Sequence, residues 1–84
     1  MAANLLVEII SPTSMIFKGN CQIAVIPSVD GEIGVMKDHQ SFIVKLKKGE
    51  IKIFKDTQTQ SHVFNIENGF AEIENHGKLL VLID

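Results

Sequence analysis

The sequence predicts an all-β fold, a small two-sheet β-sandwich or flattened barrel of about eight to ten short strands. Three observations predict it. Apolar residues alternate with period two instead of the helical period of about 3.6. Turn signals punctuate that alternation at short intervals. The apolar content also leans on branched aliphatics, Ile above all, with five Phe and no Trp or Tyr. Branched side chains are stiff at χ1 and pack well on a pleated surface.

The elements follow in chain order. Leu5, Val7 and Ile9 share one face, and Glu8 marks the other. Gln22-Ile23-Ala24-Val25-Ile26 is a β-branched run that Pro27 is expected to end. Glu50-Ile51-Lys52-Ile53 alternates polar and apolar. His62 to Glu67 places Phe64 and Ile66 together, and Gly69 to Glu74 sets Ala71 and Ile73 against Glu72 and Glu74. Lys78 to Asp84 reads as a last strand, apolar on both faces. Between these runs, Asp30-Gly31, Lys48-Gly49, Asn68-Gly69 and Asn75-His76-Gly77 each offer a residue tolerant of positive φ. The polar stretch Asp56 to Gln60 is expected to be a hairpin loop. The middle, Pro27 to Ser41, reads differently, with strand content that is short and broken. Loops carry function more often than the strands that hold them, so the site is sought here.

The chain has 84 residues, enough for one domain covering 1–84, with no linkers, repeats or low-complexity segments. A domain this small buries a modest share of its surface, so its core must be efficient. Eight basic and ten acidic residues leave a net charge of −2. No electrostatic footprint for nucleic acid results, and the cluster Lys45, Lys47, Lys48 is read as a solvated strand end. The single cysteine, Cys21, cannot close an internal disulfide and is read as a small core or edge residue, not a nucleophile. No targeting segment is expected, because the apolar stretch at Asn4 to Ile10 is broken by Glu8 and lacks a basic flank. The longest apolar run, Leu79 to Ile83, has five residues, against the roughly 20 a membrane helix needs.

No motif of catalysis stands out. His39, His62 and His76 fall on different predicted elements, the last two read as exposed hairpin residues, and no spacing matches a metal site. Gly31 and Gly34 form a G-x-x-G pair without the helix, Lys and Ser/Thr of a phosphate loop. No serine sits in a nucleophile-elbow context. Lys37, after Met36, invites comparison with biotinyl and lipoyl carrier domains, but Asp38 and His39 follow it where an apolar residue is expected. The chain is therefore read as not an enzyme by itself, with no cofactor.

Four stretches in linear order carry a resemblance. Val7-Glu8-Ile9-Ile10-Ser11-Pro12 leads into Ile16-Phe17-Lys18-Gly19. Gly31-Glu32-Ile33-Gly34-Val35-Met36 leads to His39, Phe42-Ile43, Leu46 and Gly49. Asn68-Gly69-Phe70-Ala71-Glu72-Ile73 is followed by the closing Leu80-Val81-Leu82-Ile83-Asp84. Together they resemble the β-sandwich domain of epsilon subunits of F-type ATP synthases over essentially the whole chain. Two positions depart from that pattern: Lys37 and Ser41 stand where the family usually has Pro, which frees the loop around His39. The chain also stops at Asp84, where most members of the family continue into a helical hairpin.

The resemblance implies a non-catalytic rotor part at the foot of the central stalk. Its expected partners are the gamma subunit, the polar loops of the c-ring and, indirectly, the alpha and beta subunits. It would lie peripheral to the cytoplasmic face of a bacterial inner membrane, or to the equivalent face of an organelle coupling membrane. Carried over by position, Val29, Asp30, Gly31 and Glu32 are expected to meet the c-ring, and Ser11, His39, Phe42 and Val44 the gamma subunit. Each has a plainer reading: Glu32 as a solvated turn carboxylate, His39 as a turn-stabilising imidazole, Phe42 as core. The hairpin carries inhibition of ATP hydrolysis in the family, so the resemblance implies a chain that couples without braking. The competing reading is a β-sandwich interaction domain from another assembly.

Overall fold

The computed structural model describes residues 4–56, 59–74 and 77–84. Nine strands are present among them: β1 (Leu5–Ile10), β2 (Met15–Cys21), β3 (Ile23–Ser28), β4 (Gly31–Val35), β5 (Phe42–Leu46), β6 (Gly49–Phe54), β7 (Gln60–Ile66), β8 (Gly69–Glu74) and β9 (Lys78–Ile83). His76, and the Thr57-Gln58 part of the expected hairpin loop, lie outside the described residues.

The strands form one continuous sheet, ordered β2-β1-β9-β8-β5-β3-β6-β7, with β4 added on β3. The expected sandwich is thus a single sheet curled on itself. The fold line lies between β5 and β3, whose ladder is reduced to Ser28 opposite Leu46. Beyond it, β3 pairs with β6 at Ile23, Ala24 and Val25. Two layers result, β2-β1-β9-β8-β5 and β4-β3-β6-β7. Alternation fills the space between them with Leu5, Val7, Ile9, Ala24, Ile26, Val35, Leu46, Ile51, Ile53, Ala71, Ile73, Leu79 and Val81. On the open side, the strands at the two ends of the path meet through rings. Phe17 of β2 lies 4.8 Å from His62 and 5.3 Å from Phe64 of β7.

Two expectations change. Pro27 does not end β3, which runs on to Ser28 while Pro27 pairs with Glu32 of β4. The Pro27 carbonyl accepts from Lys47 N at 2.9 Å. A strand residue points its C=O and N to the same side, so the missing N–H falls at the fold line and costs the β4 ladder nothing. The middle segment is also more regular than expected, because β3 and β4 form a hairpin and the irregular part shrinks to residues 36–41.

The ladder registers define two ends of the molecule. Ile10, Ser28, Leu46, Ile66, Gly69 and Ile83 lie at one, with the turns that follow Ile10, Ser28, Leu46 and Ile66. Leu5, Cys21, Phe42, Phe54 and Lys78 lie at the other, with loop 36–41. β1 and β9 run parallel, Leu6 opposite Lys78 through Ile10 opposite Leu82, so the two terminal strands of the domain are central neighbours.

Candidate docking site

The β3–β4 turn is built around Ser28, the one buried polar side chain among the described residues, 1% exposed. Its hydroxyl donates to the Gly31 carbonyl at 2.6 Å and accepts from Asp30 N at 3.1 Å. Val29 N donates to the Lys45 carbonyl at 3.0 Å, tying the turn to β5. Gly31 completes it with φ 127°, a conformation L side chains avoid. This bracing leaves Val29 47% exposed at the tip beside exposed Asp30. Glu32 follows, also exposed, with a carboxylate oxygen 3.5 Å from Lys52 Nζ. An exposed pair at that distance adds little to stability and exchanges readily with another cation. Val29, Asp30, Gly31 and Glu32 are thus brought together as one braced, accessible projection.

The residues expected to face gamma are not brought together. Ser11 follows β1 at the same end as Val29, where its amide donates to the Ser14 carbonyl at 2.9 Å and its hydroxyl accepts from Ser14 N at 3.2 Å. His39 and Phe42 lie at the opposite end. His39 is held without the two prolines. Its amide donates to the Met36 carbonyl at 3.0 Å, its Nδ1 lies 2.9 Å from the Gln40 carbonyl, and its ring is 4.8 Å from that of Phe42. Phe42 and Val44 share the inward parity of buried Leu46 and pack against the core, half-buried. Phe42 is thus packed against the core with part of its surface still exposed. The outward position of β5 is Ile43, 70% exposed.

Sequence reasoning passed over that outward face. Phe70 and Leu82 sit opposite each other on β8 and β9, 53% and 48% exposed, beside Ile10 on β1. The signal was available, since β9 reads as apolar on both faces although one face of it meets solvent. Other candidates resolve simply. Lys37 is not at a hairpin tip, because β4 pairs with β3 and β5 with β3 and β8. Cys21 is buried, and burial pushes its thiol from 9.0 up to about 11. No group of three or more His, Cys, Asp or Glu that could hold a metal occurs among the described residues. No helix among them is long and apolar enough to cross a membrane.

The fold and its accessible surfaces define a class, a β-sandwich domain that offers turns and an apolar sheet face to its surroundings. The model of the ATP synthase delta/epsilon chain β-sandwich domain matches residues 4–84, and the chain belongs to that family. Similar curated proteins are the ATP synthase epsilon chains of Desulfosudis oleivorans, 36% identical over 87% of this chain and 54% of that protein, and of Campylobacter lari, 42% identical over 79% and 50%. The chain therefore spans about half the length of these relatives. Among solved structures, a chain of the Euglena gracilis mitochondrial ATP synthase, in a structure of OSCP, F1 and c-ring, superposes with a TM-score of 0.86. It covers 99% of this chain and 52% of that one at 18% identity, a likeness of fold.

Proposed function

We propose that this domain is a non-catalytic part of the central stalk of an F-type ATP synthase. It carries rotation of the proton-driven c-ring through the gamma subunit to the alpha and beta catalytic subunits. It works peripheral to a coupling membrane, on the cytoplasmic face of the bacterial inner membrane or the equivalent organelle face. The observation that carries this reading is the family match across residues 4–84, with epsilon chains as relatives. The geometry supports it mechanically. A packed β core has low compressibility and transmits strain, and the turn at Val29, Asp30, Gly31 and Glu32 is tied into that core through buried Ser28. In this reading the turn meets the polar loops of the c-ring, and Glu32 trades Lys52 for a basic or amide group there. Ser11 and His39 touch the gamma subunit from the two ends of the sheet, while Phe42 and Val44 support that contact from within.

The test is coupling. Membranes carrying the ATP synthase are stripped of their epsilon chain, and the 84-residue chain is added back. ATP-driven proton pumping is expected to rise several-fold per ATP hydrolysed. Glu32→Arg is expected to lose that gain while keeping its melting temperature and its affinity for gamma. No gain from the wild-type chain overturns the reading, and full activity of Glu32→Arg removes Glu32 from the ring contact.

A further inference from the structure

We propose that two copies of this chain pair edge to edge through β4, antiparallel about Ile33. The proposal stands on the sheet alone and does not use the stalk reading. Among the described residues β4 pairs with β3 and with no other strand, so its far side is an open edge. The register says which groups that edge offers. The Pro27 carbonyl accepts from Lys47 N, on the side of β3 away from β4, and Pro27 has no N–H. Pro27 opposite Glu32 is therefore a pair without ladder bonds. Alternation then turns the N–H and C=O of Ile33 toward β3, and those of Glu32 and Gly34 outward to the open edge.

Open edges are usually blunted by a proline, a bulge or a charge. β4 has no proline and pairs in unbroken register, and its one charge, Glu32, is offset by Lys52 Nζ at 3.5 Å. The other side of the sandwich is closed, because Phe17 of β2 meets His62 and Phe64 of β7. On this side β4 and β5 share no ladder, and Ile33, Phe42 and Val44 stay half-buried against the core beside the gap. Symmetry selects the occupant. A two-fold axis at Ile33 sets Glu32 of one copy opposite Gly34 of the other, and Gly34 opposite Glu32. Each of these residues turns its N–H and C=O to the edge, so both pairs bond. The side chains fit as well. Every Glu32 lies beside a position that has no side chain, on the exposed face of β4. On the inner face Ile33 meets its own copy and extends the apolar surface over the gap. An unrelated strand would offer the backbone bonds alone; a second copy also supplies the space that Glu32 needs.

The full 84-residue chain is followed by analytical ultracentrifugation over a range of concentration. Two short edges bury less than the roughly 1,200 Å² of stable complexes, so a monomer at about 1 µM and a dimer half-formed on the order of 100 µM are expected. Gly34→Glu sets like charges opposite each other across the pair and is expected to weaken pairing on the order of tenfold. Gly34→Lys sets opposite charges there and is expected to strengthen it severalfold at low salt and less at high salt. Both side chains fit the monomer, since Gly34 has no positive φ and a Cβ there meets Ile23 Cγ2 at an ordinary 4.0 Å. Melting at low concentration checks that both variants are folded. Amide hydrogen exchange in the wild type reads the interface without any substitution. As concentration rises, the Glu32 and Gly34 amides should slow severalfold, while the Ile33 amide is slow throughout. A monomer across the whole range overturns the proposal. So do equal affinities of folded Gly34→Glu and Gly34→Lys, and so does slowing confined to another strand. None of these outcomes touches the stalk reading.

Discussion

At the scale of single residues, two small side chains show how burial decides role. Ser28 is buried yet satisfied, since one hydroxyl donates to Gly31 and accepts from Asp30. A buried hydroxyl with both roles filled costs little and fixes the backbone it bridges. Cys21, at the end of β2, is buried without that help, and its thiol is pushed up from 9.0 to about 11. The folded chain therefore holds this proton more tightly than the unfolded chain does. The resulting stability is complete below pH 9.0 and is lost as pH rises from there toward about 11. The melting temperature of the wild type should then fall more steeply across that window than that of Cys21→Ala, which has no thiol to ionise. At pH 8 a thiol reagent should label Cys21 only after denaturant is added, because the reactive species is the thiolate. Parallel melting curves, or rapid labelling of the folded chain, would contradict this account.

At the scale of elements, the glycines separate two uses of the same residue. The sequence invites a turn reading for Gly31, Gly49, Gly69 and Gly77 alike, but among the described residues only Gly31 and Gly77 have positive φ. Gly69 opens β8, where a Cβ would run into the backbone carbonyl of Leu82 on β9. Its value is space, which no turn rule reads from sequence. Gly69→Ala should therefore push β8 from β9 and cost about 1–3 kcal/mol, read as a lower urea midpoint with an unchanged slope. Gly34→Ala, at an exposed position of β4 with Ile23 Cγ2 4.0 Å from the new methyl, should leave the midpoint unchanged. Equal effects at the two sites would reject the distinction. The strands themselves were legible, because alternation such as Leu5, Val7, Ile9 is a local signal. Pro27 misled, because its tolerance depends on which side of β3 has a ladder to lose. The Val29 to Glu32 turn was legible from Asp30-Gly31, whereas its brace, Ser28, was not, since Ser28 is buried where β5 arrives beside it from far along the chain.

At the scale of the whole molecule, the fold hinges on β9, the last strand in sequence and a central one in space. It lies parallel to β1 and antiparallel to β8, so neither ladder is complete until the end of the chain is in place. That placement could not be read locally: period two says that a strand exists, not which neighbour it takes. It does assign faces, and the assignment can be tested with adjacent residues. Val81 is fully buried between Ile9 and Ala71, while Leu82, one position on, points outward between Ile10 and Phe70. A carboxylate at Val81 would be buried without a partner, at a cost of several kcal/mol. Small domains have only about 5–15 kcal/mol in total. Val81→Asp should therefore lose the far-ultraviolet β signal and cooperative melting at 25 °C or a little above. Leu82→Asp should keep both, with stability within about 1 kcal/mol of wild type. The same substitution one residue apart then separates the core face of β9 from its solvent face. If Leu82→Asp unfolded as readily as Val81→Asp, the outer face of β9 would belong to the core, against the exposure of Leu82.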